Sequence, residues 1–207
     1  YNYMCIGLGL TGAVAFATST SPTMMQAIYG TPLQWVVMLA PIGLVFFLAA
    51  KVHSMRASTA QTLFWVYAGS MGLSLAYVFA VYTGESVARV FFITAGAFAG
   101  LSLYGYTTKR NLSGMGSFLI MGVIGLLIAA VVNMFLESSA LQFAISVLGV
   151  LIFAGLTAYD TQKIKSIYME NDGNAVAEKK AIMGALTLYL DFINMFIFML
   201  HLFGNRE

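Results

Sequence analysis

The chain has 207 residues, of which 60% are hydrophobic and only 9% are charged. Soluble domains carry about 25% charged residues, so this composition excludes a soluble globular domain and predicts an all-α, polytopic integral membrane protein forming one domain over residues 1–207. Ten basic against eight acidic residues give a net charge of +2, which offers no support for a nucleic-acid partner, and the single cysteine excludes an internal disulfide.

The N-terminus begins almost inside an apolar run. It has neither a basic n-region nor a clear cleavage site, so we do not interpret it as a signal peptide. Because Tyr1 precedes the first apolar residues so closely and no initiator Met is present, we expect a native leader segment to be missing.

Seven apolar segments are long enough to cross a bilayer, for which about 20 residues are needed. In chain order they are Tyr1–Ser19, Pro32–Val52, Thr59–Tyr82, Ser86–Tyr106, Ser113–Phe135, Ser138–Asp160 (with a helix that can continue to Tyr168) and Ala181–Phe203. The first segment is rich in small residues, which let helices approach closely in a membrane.

Polar stretches, a proline and a glycine spacing predict loops, a kink and helix packing within or between these segments. The polar stretch Thr18–Thr23 predicts the start of a loop, and Pro41 predicts a kink or hinge in the second segment. The spacing Gly96-x-x-x-Gly100 indicates helix packing rather than chemistry. The only long polar connection is predicted at Ser166–Lys180, with a turn at Asn171–Asn174.

Loop charges predict the orientation of the chain. If every segment crosses, two basic residues, Arg89 and Arg206, lie on one side of the membrane. The opposite side receives eight: Lys51, Arg56, Lys109, Arg110, Lys163, Lys165, Lys179 and Lys180. The positive-inside rule places these eight and the N-terminus in the cytoplasm. A re-entrant last segment would instead leave Arg206 inside.

The last segment carries Asp191 near its middle. A carboxylate at bilayer depth costs about 2.5–3.5 kcal/mol on insertion scales, so such a residue faces a partner or water inside the protein. Asn194 lies three residues later on the same helical face and is a candidate supporting residue. A purely structural hydrogen bond is the alternative role for Asp191.

Asp160 ends the sixth segment and follows Tyr159, a second candidate supporting residue. Antiparallel neighbouring helices would bring Asp160 and Asp191 together, and two such carboxyls would share one proton. This arrangement predicts a proton-responsive switch or, because carboxylate oxygens bind Ca²⁺, a transient Ca²⁺ contact in a cation path. Alternatively, Asp160 is an interfacial acid paired with Lys163 or Lys165.

Arg56, near the end of the second segment, is the third candidate. It is the only basic residue near the end of the second segment or the start of the third that has no other cationic residue immediately beside it. The alternative is that Arg56 only determines topology.

Four stretches resemble one known family. They are GLTAYDTQKIK (Gly155–Lys165), GALTLYLDFINMF (Gly184–Phe196), Tyr104–Gly125 and Ser54–Ser74. They resemble the Bax inhibitor family, the transmembrane Bax inhibitor motif proteins, and most of all its bacterial members. The resemblance covers the chain from the second segment onward, and the two acidic motifs are its most specific part.

The resemblance implies a fold of seven transmembrane helices with the last one central and wrapped by the other six. It also implies a pH-sensitive Ca²⁺ leak rather than an enzyme, with no cofactor, and with the lipid bilayer, Ca²⁺ and protons as partners. Asp160 and Asp191 would be the pH-sensing pair and Arg56 its gating partner. Some relatives carry a carboxylate in the second helix, whereas Pro32–Ala50 has none here. A bacterial inner membrane is the expected location.

Three other classes were weighed. An intramembrane aspartyl protease also uses two aspartates on consecutive helices, but such enzymes have Gly-x-Gly-Asp where this chain has Leu188-Tyr189-Leu190-Asp191. A proton-coupled transporter would be favoured by internal repeats, and none is convincing. A retinal protein would need a lysine inside the last segment, and none lies between Met183 and Gly204.

Overall fold

The structure is a computed structural model that describes residues 1–52, 54–168 and 173–206. Within these ranges the chain forms nine α-helices and no strand, apart from an isolated bridge between Tyr82 and Arg206. The helices are α1 (Asn2–Ser19), α2 (Pro22–Tyr29), α3 (Leu33–Lys51), α4 (Ala57–Leu75), α5 (Val78–Val81), α6 (Gly84–Thr107), α7 (Ser113–Leu136), α8 (Ser139–Ile167) and α9 (Asn174–Phe203).

Length and hydropathy mark six spans in the described part of the chain. These are α3, α4 with α5, α6, α7, α8 and α9, and the pair α1–α2, bent by 97°, becomes a seventh if it counts as one span. The protein is therefore an all-helical membrane protein with six to seven candidate spans. The apolar window of α9 is 67% buried, against 11–33% in the other five. A count of seven with α9 central stays a prediction.

The structure corrects the predicted loop after the first segment. Residues Pro22–Tyr29 form the helix α2 because Pro22 occupies its first turn and the Ser21 side chain accepts a hydrogen bond from the Met24 amide at 3.4 Å. An N-cap serine followed by proline is a helix-start signal. The loop predicted to start within Thr18–Thr23 is therefore limited to Thr20 and Ser21, between α1 and α2.

The predicted polar connection is shorter than expected. The helix α8 continues to Ile167, and α9 begins at Asn174, seven residues before the predicted Ala181. Alanine, glutamate and lysine between these positions are good helix formers, so the polar residues extend α9 instead of forming a loop. Of the predicted turn, Asn171 and Asp172 lie outside the described residues.

The described chain packs as two compact units, and the prediction of a single domain over the whole chain remains untested. Unit 1 comprises Tyr1–Thr83, Tyr168–Tyr189 and Arg206–Glu207, and unit 2 comprises Gly84–Ile167 and Leu190–Asn205. The helix α9 thus contributes its N-terminal half to unit 1 and its C-terminal half to unit 2.

Unit 1 has a polar contact at its centre. The Thr11 hydroxyl lies 2.6 Å from the Tyr189 hydroxyl and 2.8 Å from the Ala68 carbonyl, which joins α1, α4 and α9. The rings of Tyr67 and Tyr189 are 5.4 Å apart, and both residues are buried. The Tyr67 hydroxyl has no hydrogen-bond partner in the part of the chain that is described.

This asymmetry predicts opposite effects for two matched variants. Tyr67→Phe removes an unsatisfied buried hydroxyl and should raise the free energy of unfolding by about 1 kcal/mol. Tyr189→Phe removes the hydrogen bond to Thr11 and should lower it by about 0.6 kcal/mol. Thermal unfolding in detergent measures both, and equal losses in the two variants would contradict the assignment of these hydroxyls.

In unit 2 the helices α6 and α7 both pack against α8. A Cβ added at Gly105 of α6 would run into the backbone carbonyl of Ala158, and one added at Gly116 of α7 would overlap the ring of Tyr159. Both glycines therefore allow close approach to α8 beside Asp160. By contrast, a Cβ at Gly96 or Gly100 meets no described atom within 4 Å, so the packing predicted for that motif is absent within the described chain.

Candidate functional site

Asp160 occupies a buried, partly polar face near the C-terminal end of α8. Asp160 is only 9% exposed, and Thr157 and Thr161 on the same helix are buried as well. The Thr161 hydroxyl donates to the Ser102 hydroxyl of α6 at 3.3 Å. Packing against α6 therefore buries this face of α8, and the Asp160 carboxyl needs a partner inside the protein.

That partner is Asp191 of α9. Asp191 is 4% exposed, and its carboxyl is hydrogen-bonded to the carboxyl of Asp160. The next residue, Phe192, fixes this part of α9 against α6 by edge-on ring contacts with Phe91 and Phe98 at 5.4 and 5.5 Å. The two carboxyl groups expected to be neighbours are therefore in contact, and their role as a sensor stays a prediction.

The pair has a defined chemical consequence. Ionised carboxylates only accept hydrogen bonds, so a bond between two carboxyl groups requires one of them to hold a proton. Loss of that proton would place two like charges in contact away from water. The second oxygen of Asp191, Oδ2, is buried and has no hydrogen-bond partner among the described residues.

The contacts of Asp160 also bear on the alternative that it is an interfacial acid paired with lysine. Within the described residues the ion pair is Glu85–Arg89, and Asp160 makes no salt bridge. The Lys165 ammonium instead donates to the Tyr106 carbonyl at 2.8 Å. Lys163 is near enough to influence the charge of Asp160 electrostatically, but it does not pair with it.

The two supporting candidates have other contacts. The Asn194 amide donates to the Leu190 carbonyl of its own helix at 2.8 Å. The Tyr159 ring covers Gly116, and the Lys163 ammonium lies 5.9 Å from the centre of that ring. Tyr159 thus packs α7 against α8 beside Asp160, and a supporting role for either residue at the pair stays a prediction.

Comparison with known proteins decides the family. The family model described as Inhibitor of apoptosis-promoting Bax1 matches residues 1–207, the whole chain. The chain belongs to the Bax inhibitor family. The resemblance recognised in the motifs around Asp160 and Asp191 is confirmed.

Similar Bax inhibitor family proteins occur in bacteria. The inner membrane protein YbhL of Escherichia coli K12 is 44% identical over 210 residues, which cover this whole chain and 90% of that protein. An uncharacterized protein, RP147, of Rickettsia prowazekii is 48% identical over 207 residues and is covered to 88%. An uncharacterized protein of Caulobacter vibrioides is 49% identical over 218 residues and is covered to 87%.

The remaining candidates of this Bax inhibitor family chain lie in unit 1. Arg56 is the N-cap residue of α4, its side chain is exposed, and its role as a gating partner stays a prediction. Pro41 is buried inside α3, which runs unbroken through it, and a hinge there stays a prediction. No group of three or more His, Cys, Asp or Glu able to hold a metal occurs among residues 1–52, 54–168 and 173–206.

Two polar contacts of this Bax inhibitor family chain were not predicted from its sequence. One is the hydroxyl pair of Ser102 and Thr161, which accompanies Asp160 in the interface of α6 and α8. The other is the Thr11–Tyr189 contact, which spans 178 positions. The available signal was modest: Thr161 directly follows Asp160, and Tyr189 stands two residues before Asp191.

Proposed function

We propose that this protein is a Ca²⁺ leak channel whose conductance is governed by the proton shared between Asp160 and Asp191. Membership of the Bax inhibitor family and the six to seven candidate spans make it a membrane protein. The observation that carries the finer proposal is the hydrogen bond between two buried carboxyl groups on α8 and α9. No other pair of acids in the described chain is both buried and in contact.

The shared proton would couple pH to helix packing. With one proton in the pair, the carboxyls attract each other and hold the end of α8 to the middle of α9. Without it, two negative charges repel each other where water does not screen them. In this proposal α9 blocks the ion path while the contact holds, and the helices separate when the proton count changes.

The pair is suited to a passing cation and not to a resident one. Ca²⁺ takes six to eight oxygen ligands, whereas the pair offers at most four carboxylate oxygens. One of these, Asp191 Oδ2, is buried without a partner and is the oxygen that a dehydrated cation would meet. Weak, incomplete coordination is what conduction requires, because an ion must leave as readily as it enters.

The channel proposal is favoured over the protease alternative. Leu188 and Tyr189, which precede Asp191, are buried with exposures of 3% and 0%. A peptide bond must reach both aspartates for hydrolysis, and these side chains cover the backbone on the approach to Asp191. The name of the Escherichia coli relative supports an inner-membrane location, and the loop charges support a cytoplasmic N-terminus.

Ca²⁺ flux into proteoliposomes tests the proposal. In the wild-type protein we expect the flux at about pH 6 to differ from the flux at about pH 8, because the proposed gate responds to gain or loss of the shared proton. Asp160→Asn and Asp191→Asn each remove a titrating carboxyl while keeping its size. We expect the ratio of the two fluxes to become about 1 in both variants.

The matched control is Glu85→Gln, which neutralises an exposed acid of the Glu85–Arg89 ion pair, away from the site. It should keep the wild-type pH dependence. A wild-type pH profile in both aspartate variants would refute the sensor. If the protein carried no Ca²⁺ flux and instead cleaved a transmembrane peptide, the protease alternative would be favoured.

A further inference from the structure

Unit 2 contains a basic cleft that is not lined by either aspartate of the proposed Ca²⁺ path. It has a volume of about 400 Å³ and is formed where the α6–α7 connection meets the C-terminal end of α8. The lining residues that matter for its chemistry are polar or cationic: Lys109, Arg110, Asn111, Ser113, Gln162 and Lys163. Tyr159, the residue that precedes Asp160, also lines it.

The cleft is built by specific hydrogen bonds. The Gln162 side chain donates to the Arg110 carbonyl at 2.8 Å and accepts from the Leu112 amide at 2.9 Å. The Asn111 side chain accepts from the Ser113 amide at 2.9 Å. Two of these hydrogen bonds hold the α6–α7 connection to α8, and the third stabilises the turn that leads into α7. The basic side chains of the connection are therefore attached to a fixed backbone.

The charge of the cleft is uncompensated. It contains three cationic side chains, and none of Lys109, Arg110 and Lys163 forms a salt bridge within the described part of the chain. The helix α7 begins here, and its N-cap, Leu112, supplies no side-chain cap. The positive end of the α7 dipole therefore adds to the three full charges, which together favour a ligand that carries negative charge on several oxygens.

The position of the cleft identifies what can bring such a ligand. It lies at the ends of α6, α7 and α8, where Tyr104 and Tyr106 are exposed as expected for residues at a membrane surface. In the first turns of α7, which begins at the cleft, Met115 and Phe118 expose apolar surface that acyl chains can cover. A basic pocket between spans, next to an apolar helix face, suits a lipid headgroup with its chains.

We propose that this cleft binds a phosphate group, carried to it by an anionic phospholipid of the surrounding leaflet. The guanidinium of Arg110 and the ammonium groups of Lys109 and Lys163 hold the phosphate oxygens, and the Ser113 hydroxyl at the start of α7 donates to one of them. The proposal concerns binding alone and does not depend on Ca²⁺ conduction.

Titration of the purified full chain with fluorescent phosphatidylglycerol, in parallel with fluorescent phosphatidylcholine, tests it. We expect tighter binding of phosphatidylglycerol, weakened by salt because the contact is electrostatic. Lys109→Gln/Arg110→Gln should raise the Kd for phosphatidylglycerol about tenfold or more. The backbone bonds from Gln162 to the connection are untouched in this variant, and an unchanged elution volume checks that it is folded.

The control variant, Lys51→Gln/Lys179→Gln, removes the same charge from positions outside the cleft and should bind within about twofold of wild type. Single Lys109→Gln repeats the test if the double variant does not fold. Equal affinity for the two lipids, or wild-type affinity in the cleft variants, overturns the proposal. Displacement by inorganic phosphate alone, without preference for phosphatidylglycerol, would keep the phosphate chemistry and overturn the lipid carrier.

Discussion

Asp160→Leu is expected to lower the free energy of unfolding by about 1–3 kcal/mol, and adding Asp191→Leu to restore much of that loss. The single change leaves the Asp191 carboxyl buried with neither oxygen paired, which costs its desolvation. The double change removes both carboxyls, and replacing a buried polar pair by apolar residues of similar size is often neutral or stabilising. Chemical or thermal unfolding of the four proteins in detergent gives the coupling energy.

A coupling energy near zero would contradict a direct contact between the two side chains. Glu85→Leu serves as the reference for replacing an acid that is exposed to water, and we expect a change within about 1 kcal/mol. This double-mutant cycle measures the contact between the two carboxyl groups, whereas the flux experiment measures the effect of that contact on Ca²⁺ conduction. If the contact is present but the flux does not depend on pH, the assignment of the site stands and the proposed function is refuted.

Gly105→Leu is expected to cost about 3 kcal/mol or to prevent recovery of folded protein, whereas Gly100→Leu on the same helix is expected to be tolerated. At Gly105 a side chain would meet the Ala158 backbone, which cannot move without displacing α8, and overpacking of this kind costs about 1–3 kcal/mol or more. At Gly100 a Cβ meets no described atom within 4 Å. Yield of monodisperse protein and its unfolding temperature measure both.

The comparison is informative because the two positions are five residues apart on one helix. Equal tolerance of leucine at both would mean that α6 does not approach α8 as described. A defect confined to Gly105 would also be expected to disturb Asp160, because Ala158 lies two residues before it on α8. Gly105→Ala, a smaller change, should weaken stability in the same direction.

Helix boundaries in unit 2 were largely predictable from local sequence signals. The predicted start of the fifth segment at Ser113 is the start of α7, and the predicted end at Phe135 is one residue from Leu136. Asp191 stood out because an acid inside an apolar segment is costly in lipid. Its position on the next helix after Asp160 was enough to predict that the two carboxyls meet.

Features that depend on tertiary contacts could not be predicted from the sequence. The third segment was predicted as one span over Thr59–Tyr82, and the span Ala57–Val81 agrees with it, but the helix breaks after Leu75, between α4 and α5. The Tyr29 hydroxyl donates to the Leu73 carbonyl at 2.6 Å and lies 3.1 Å from that of Ser74, so it satisfies backbone groups that a longer helix would have used. A donor 44 positions away leaves no local signal.

The last helix has a consequence for how the chain is made. A ribosome delivers α9 after every other helix, yet both units draw core residues from it. The Thr11–Tyr189 contact closes a loop of 178 positions, and the Asn205 amide donates to the Ser86 hydroxyl across 119. The earlier helices must therefore wait in the bilayer, with their contacts to α9 unmade, until α9 itself has been inserted. Insertion of α9, and not of the first spans, should complete the cores of both units.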